Sequence, residues 1–278
     1  MTKTLLIISG GSESADIAHR ARQDGHTVIV SDSDPQAPAF SRADSCLIAD
    51  TYGASETAAA AERYNRKIRK IDGVVCAAAA ALTAATVTER LRLPGLPLHV
   101  AELMDDRLAI RRCFASAGIA APWHTEIFTP QELQSIVIAK GRALLLKPVE
   151  NHGTTGVQNL EAVEDLHAAF EQARACSPSE RVMVEQVLAG PTILVDCLMM
   201  QGSCHVAGTA QSAVSEAAKR IASALGIYDG PLSCEIVMHQ GAAHVTDVST
   251  RLSPANLVAG AIRLALGEQI SPQDLAQK

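Results

Sequence analysis

The first hundred residues alternate short apolar runs with segments of helical periodicity. Leu5–Ile8 is a continuous apolar run, which is typical of a strand that is covered on both faces. Further strands are predicted at similar intervals along the chain, at Thr27–Val30, Cys46–Ile48 and Gly73–Cys76. Strands that alternate with helices in this way predict a parallel, doubly wound sheet. We therefore predict an α/β domain for residues 1–102.

The turn after the first predicted strand, Ser9-Gly10-Gly11-Ser12, does not match the G-x-G-x-x-G pattern of dinucleotide-binding domains. Asp32 and Asp34 follow the second predicted strand, where a carboxylate can hold a ribose. Without the glycine pattern, we interpret both as turn and capping residues. A nicotinamide-dependent oxidoreductase is accordingly the least favoured function.

Charge and hydropathy narrow the choice of partners. The formal net charge is −6, and basic residues form no dense run, so nucleic acid is not an expected partner. The longest apolar run, Val74–Val87, is rich in alanine and interrupted by threonine, which makes it unsuited to spanning a membrane. The seven cysteines are dispersed without a C-x-x-C pair, which is typical of reduced thiols in a cytoplasmic protein.

Two fragments in the middle of the chain suggest a phosphate site. Lys147 ends the apolar run Leu144–Leu146, and a glycine-bearing turn, Gly153–Gly156, follows it. About forty residues later, a second apolar run passes through Glu185 and ends at Gly190-Pro191. A lysine beside a loop of free backbone N–H groups is an arrangement that binds the phosphates of a nucleotide.

The last predicted hairpin carries two carboxylates on neighbouring strands. Its strands are predicted at Leu232–His239 and Ala243–Ser249, and they carry Glu235 and Asp247. We predict that these two side chains share one side of the hairpin and bind Mg²⁺, whose other ligands would be phosphate and water oxygens. Asp247, Ser249 and Arg251 alternate along the chain and therefore share a face.

The order of these motifs resembles the ATP-grasp superfamily, in particular the branch of carbamoyl-phosphate synthetase large subunits and related carboxylate–amine ligases. The resemblance covers nearly the whole chain. It implies an α/β fold class: an ATP-grasp fold with an N-terminal doubly wound parallel-sheet domain followed by two α+β subdomains. The implied divisions are residues 1–102 for the first domain, 103–188 for the subdomain with the glycine loop, and 189–278 for a shortened C-terminal subdomain.

The resemblance also implies roles for individual residues. Lys147 and Arg251 are the implied catalytic residues, and Glu235, Asp247 and Ser249 the implied Mg²⁺ ligands. Glu185 through its carboxylate, and Gln186 and Leu188 through their backbone, would bind the adenine. The residues implied to bind the remainder of ATP are Arg107, Lys147, Gly153, Thr154, Thr155, Gly156, Val157 and Thr192.

Three departures from the family pattern qualify this implied function. Ser249 replaces the usual asparagine, Thr192 replaces a glutamate that holds the ribose, and the stretch 193–234 is shorter than in typical members. The implied activity is ATP-dependent ligation of a carboxylate to an amine or thiol through an acyl phosphate. The alternative is a non-catalytic relative that binds nucleotide or a partner subunit. The implied partners are small carboxylates and amines, with a homodimer or a partner subunit left open.

Overall fold

A computed structural model of the chain describes residues 2–151, 154–206, 212–252 and 255–270. The chain divides into two compact units. The first unit is assembled from residues 1–102, 195–234 and 248–278, and the second from residues 103–194 and 235–247. The predicted C-terminal subdomain, 189–278, is therefore not one unit. Its strands contribute residues to both units, because the chain crosses between them several times.

The first unit contains a parallel sheet with the strand order β3-β2-β1-β4, which confirms the predicted doubly wound arrangement. Leu5, Ile7 and Val28 pack on one face, whereas Leu6, Ile8 and Ile29 pack on the other. Apolar side chains on both faces explain why the strands are continuous apolar runs. The elements of residues 1–102 are β1 (Thr4–Ile8), α1 (Ser12–Gln23), β2 (Thr27–Asp32), a 3₁₀ helix (Pro38–Arg42), β3 (Ser45–Ile48), α2 (Ala54–Lys67), β4 (Gly73–Cys76) and α3 (Ala81–Leu91), with α4 (Leu98–Asp105) crossing the boundary.

Asp32 stabilises the turn after β1 as well as the turn after its own strand, β2, where the sequence predicted a turn residue. The Asp32 carboxylate accepts the Gly10 N–H at 2.6 Å and the Asp34 N–H at 2.9 Å, and Asp34 in turn accepts the Gln36 N–H. A Cβ atom at Gly10 would lie 2.5 Å from the Ala37 Cβ, so the chain passes too close for a side chain here. Both aspartates therefore stabilise turns.

The second unit contains an antiparallel sheet with the strand order β5-β8-β6-β7. Leu144, Leu146, Val182 and Val184 project from it onto Phe170, which lies on a covering helix. That helix begins at Leu166, where the Asp165 carboxylate caps its first turn. The elements are α5 (Arg107–Ser116), β5 (His124–Ile127), α6 (Pro130–Lys140), β6 (Leu144–Pro148), β7 (Gln158–Asn159), α7 (Leu166–Ala175) and β8 (Val182–Gln186).

The remaining strands form a sheet with the order β10-β9-β11-β12. Its last two strands are the predicted terminal hairpin, which turns at Gln240-Gly241, both with positive φ. In the described ranges, no helix is long and apolar enough to cross a membrane. The elements after residue 190 are β9 (Thr192–Met200), β10 (Ser203–Val206), α8 (Ser212–Leu225), β11 (Gly230–His239), β12 (Ala242–Ser249) and α9 (Ala255–Ala265).

Candidate functional site

Glu185 and Lys147 form an ion pair on one face of the second unit's sheet. Glu185 lies opposite Leu145 in the ladder between β8 and β6, which places Lys147 two residues further along the same face. The Lys147 Nζ donates to Glu185 Oε1 at 2.7 Å. The structure thus brings together two residues that the sequence assigned to one ATP site.

Arg111 is a third member of this group, and the sequence analysis missed it. It lies on α5, and its Nε and Nη2 donate to Glu185 Oε2 at 3.0 and 2.6 Å. Its Nη1 also donates to the Val245 carbonyl oxygen at 3.1 Å. One feature of the sequence could have indicated this residue. Arg111 follows Arg107 by one helical turn and precedes Phe114 by three residues, which places a charged side chain on the buried side of an amphipathic helix.

These charges are removed from water. The exposed fractions of the side chains are 2% for Glu185, 6% for Arg111 and 12% for Lys147. Burial by itself would raise the pKa of Glu185, but the Lys147 and Arg111 charges and their hydrogen bonds outweigh it and lower that pKa. Glu185 is therefore an anion held by two cations, and each member depends on the others to offset its desolvation.

Arg107 adds positive charge next to this pair. It is the first residue of α5, and its Nη1 donates to the Pro148 carbonyl oxygen at 2.8 Å, immediately after Lys147. Burial lowers the pKa of the Arg107 guanidinium, against the attraction of Asp247 and Glu185. We call Arg107, Arg111, Lys147 and Glu185 the cationic cluster. It contains three cations and one anion, and the carboxylates of Asp105 and Asp247 also act on Arg107.

A surface network fixes the start of α5, and with it Arg107. Arg181 donates to Glu126 at 2.7 Å, to Asp106 at 2.9 Å and to Glu150 at 3.2 Å. Asp106 caps α5 by accepting the Ala109 N–H at 2.7 Å, and it forms an antiparallel bridge with Glu150. Arg181 therefore ties the helix start to the segment that leads from Lys147 into the glycine loop.

The glycine loop is described in part. Gly153 lies outside the described residues, whereas Thr154 and Thr155 are exposed and the Val157 N–H donates to the Thr154 carbonyl oxygen at 3.0 Å. Gly156 has a φ of 73°, and a Cβ there would lie 2.7 Å from the Cys176 Cβ. Both the backbone conformation and the close approach require glycine at this position.

The segment after β8 carries the residues predicted to read a base and a ribose. The Gln186 N–H donates to the Trp123 carbonyl oxygen at 2.8 Å, so this donor is engaged within the unit. Leu188 is half-buried and Thr192 is exposed at the start of β9. Val187, Ile193 and Leu194 are exposed apolar side chains of the same segment. The base-reading and ribose-binding roles of these residues stay predictions.

Glu235 and Asp247, the predicted Mg²⁺ ligands, lie on the two strands of the terminal hairpin, β11 and β12. The Thr246 hydroxyl donates to Glu235 Oε1 at 2.8 Å. The metal-binding roles of Glu235 and Asp247 stay predictions.

The carboxylates of the hairpin suit a metal ion of a nucleotide site. Mg²⁺ in nucleotide sites usually takes one or two carboxylates and fills its remaining positions with phosphate oxygens and water. Asp247, whose charge acts on Arg107, fits such a site, and the Glu235 carboxylate accepts the Thr246 hydroxyl. Within the described part of the chain, no three His, Cys, Asp or Glu side chains are grouped to hold a metal by themselves.

Ser249 and Arg251 belong to the first unit. Ser249, the last residue of β12, is half-buried, and Arg251 is exposed two residues later. Their predicted roles, as a metal ligand and as a catalytic arginine, stay predictions.

Asp105 yields a test of the electrostatics beside Arg107. Burial raises the pKa of its carboxyl from 3.8 to about 6, with Arg107 opposing the shift and Glu150 adding to it. Because the folded state binds this proton more tightly than the unfolded state, stability should fall as pH rises from about 4 to about 6. Asp105→Asn is expected to raise the free energy of unfolding by about 1–3 kcal/mol at pH 7.

Urea unfolding of both proteins at pH 4 and pH 7 measures this difference. At pH 4, where the wild-type carboxyl is protonated in the folded protein, the two should be nearly equal. An Asp105→Asn variant that is less stable at pH 7 would contradict the assignment.

Comparison with known proteins supports the fold. No family model matches the chain. A D-alanine–D-alanine ligase of Ectopseudomonas mendocina is 28% identical over 104 residues, which are 37% of this chain and 33% of that protein. The match thus spans about a third of the length of this curated relative.

Solved structures match the chain over most of its length. The L-amino acid ligase of Bacillus licheniformis superposes with a TM-score of 0.77 at 20% identity, covering 98% of this chain and 76% of that one. A biotin carboxylase–β,γ-ATP complex from Campylobacter jejuni gives a TM-score of 0.74 at 16% identity, covering 99% and 73%. These likenesses show the fold: the chain has the ATP-grasp fold that the resemblance implied.

Proposed function

We propose that the chain is an ATP-dependent ligase that joins a small carboxylate to an amine or a thiol through an acyl phosphate. The observation that carries the proposal is the cationic cluster. Arg107, Arg111 and Lys147 lie around one buried carboxylate, that of Glu185, next to the segment that leads into the glycine loop. Such a cluster binds and stabilises anionic phosphates. The names of the relatives, which include ligases and an ATP complex, agree with this activity.

Lys147 and Arg107 are the residues we propose for direct contact with the phosphates. Glu185 holds the Lys147 ammonium through Oε1, which fixes its position before the ligand arrives. A lysine that is already oriented loses less side-chain entropy on binding. The backbone of the glycine loop would supply further N–H donors.

The adenine is proposed to lie against the segment that follows β8. Val187, Ile193 and Leu194 expose apolar surface there, which a flat base would cover. A carboxylate offers about four acceptor positions, and the bonds from Lys147 and Arg111 to Glu185 use three of them. The position left on Oε1 suits an adenine amino group. The Leu188 backbone is the proposed second contact to the base.

The proposed reaction needs no general base from the protein when the amine arrives neutral. The substrate carboxylate oxygen attacks the γ-phosphorus, the bond to the bridging oxygen breaks, and ADP leaves. The nitrogen then attacks the acyl carbon, phosphate leaves, and the excess proton passes to solvent. The cluster acts by positioning and by charge stabilisation. Asp247 would hold Mg²⁺, which supplies Lewis-acid neutralisation of the phosphates. Arg251 is the proposed contact to the transferred phosphate.

Two observations favour a second function, binding of nucleotide or of a partner subunit without catalysis. Thr192 is exposed where a carboxylate would hold the ribose hydroxyls, and the stretch 193–234 is short. The first feature would lower the affinity for the nucleotide. The second would leave the site less completely closed over an acyl phosphate, which must be protected from water.

Thermal unfolding with ATP, ADP and AMP, each with and without Mg²⁺, tests the proposal. Mg-ATP at a hundredfold excess over Kd is expected to stabilise the protein by about 2.7 kcal/mol, and AMP by much less, because AMP offers fewer phosphate contacts. ADP release would then be measured with mixtures of carboxylates and amines. Stabilisation by ATP with no ADP release in any mixture would favour the non-catalytic function. Equal stabilisation by AMP and ATP would contradict a phosphate-binding role for the cluster.

A further inference from the structure

The first unit contains a cavity of about 290 Å³ that the proposed reaction does not use. Its walls come from β4, α3, the turn at Pro94–Leu96, β9, and α9. We infer that this cavity is a binding site for a small molecule with an apolar body and a neutral or cationic polar end. All of its lining residues belong to the first unit, whereas the cationic cluster belongs to the second. The inference therefore does not rest on the proposed function.

The volume of the cavity lies near the lower end of the range of ligand pockets, which begins at about 300 Å³. An apolar cavity of about 150 Å³ binds benzene, so about 290 Å³ accommodates a bicyclic or a branched aliphatic body. Pro94 and Gly95, which line the cavity, are exposed, so a ligand can enter from the surface.

Aliphatic side chains form most of the wall. Val75, Leu198, Leu252 and Ala261 are buried lining residues on separate segments of the unit. Because they come from a parallel strand, an antiparallel strand and a helix, the wall is held by the core of the unit rather than by one loop. A rigid apolar wall of this kind favours ligands by burial of their apolar surface.

The polar groups of the wall indicate the charge of the ligand. Asp229 is the one carboxylate among the described lining residues, and those residues include no lysine, arginine or histidine. Its Oδ1 accepts the Gln201 N–H at 2.7 Å, which fixes the carboxylate in place. Cys76 donates its thiol proton to the Ala78 carbonyl oxygen at 3.3 Å, and burial raises the pKa of this thiol to about 11, so it is neutral. An anionic ligand would meet the Asp229 charge without a compensating cation.

Three indoles that differ in charge test this inference. Indole is neutral, tryptamine is cationic and indole-3-acetate is anionic, and all three share one apolar body. Indole and tryptamine at ten times Kd are expected to raise Tm by about 2–4 °C in a saturable manner, whereas indole-3-acetate at the same concentration leaves it unchanged. No shift with any of the three, or equal shifts with all three, would overturn the inference.

Variants that fill the cavity locate the binding. Ala84→Leu on α3 and Leu264→Phe on α9 each place extra carbon atoms into the cavity, from two of its walls. Both are expected to remain folded and to lose at least tenfold in indole affinity. Ala168→Leu, at an exposed helical position of the second unit, is the matched control and should bind as the wild type does. Unchanged indole affinity in either filled variant that folds would overturn the assignment to this cavity.

Discussion

Glu185→Gln is expected to lower the free energy of unfolding by about 3–5 kcal/mol at pH 7. The substitution keeps the shape of the side chain and removes its charge. Arg111 and Lys147, which are 6% and 12% exposed, would then remain buried without their anion. The cost is the desolvation of two charges that have lost their anion. Urea unfolding of the two proteins measures the difference.

The same variant has a predicted pH dependence. Lys147 and Arg111 lower the pKa of Glu185 in the folded protein. The ionised carboxylate therefore contributes to the free energy of unfolding above the ordinary pKa of about 4.5. That contribution is lost as pH falls through the lowered folded pKa. The stability difference between Glu185→Gln and wild type should therefore shrink in acid. A difference that stayed constant from pH 7 down to pH 3 would point to packing rather than charge.

Glu171→Gln is the matched control for this prediction. Glu171 also pairs with an arginine, Arg174, at 2.7 Å, but the two side chains are 41% and 44% exposed. Exposed pairs of this kind contribute about 0–1 kcal/mol, because water and salt screen them. If Glu185→Gln cost no more than Glu171→Gln, the buried cluster would not stabilise the unit as we argue.

The sequence was sufficient for elements that follow from periodicity. β1 and β2 are apolar on both faces, and such strands predict a parallel sheet covered on both sides without knowledge of any long-range contact. Asp32 and Asp34 were correctly interpreted as turn residues because short carboxylates bond to backbone N–H groups a few residues away. In both cases, the interactions that decide the structure are local or repeat along the chain.

The sequence was insufficient where a tertiary contact decides the outcome. Arg111 contacts Glu185, which lies 74 residues away, and no local pattern names its partner. Whether Glu235 and Asp247 share a face depends on the register of the hairpin, and one residue of slip moves a side chain to the other face, so the sequence alone does not decide it. The division of residues 189–278 between two units is likewise a property of long-range packing.

Lys147→Met is expected to lower the affinity for ATP by about 10- to 100-fold while the protein stays folded. A charge-assisted hydrogen bond contributes about 1.5–3 kcal/mol, which is the range of this loss. Methionine retains an apolar stem similar to that of lysine, and Glu185 keeps its two bonds from Arg111. The buried Glu185 carboxylate therefore loses one hydrogen-bond partner but keeps a neutralising cation, Arg111. Calorimetric titration of Mg-ATP into both proteins measures the affinity.

Lys140→Met separates the role of Lys147 from a general effect of charge. Lys140 belongs to the same unit, and its Nζ lies 4.0 Å from the centre of the Trp123 ring, so it is a lysine engaged by an aromatic ring rather than by the cluster. Both variants change the net charge of the protein by the same amount. A loss of ATP affinity in Lys147→Met alone would place the phosphates at the cluster, because both variants lose the same net charge. Equal losses in the two variants would mean that the net charge, and not the geometry around Glu185, controls the affinity, and the proposed phosphate contact would be wrong.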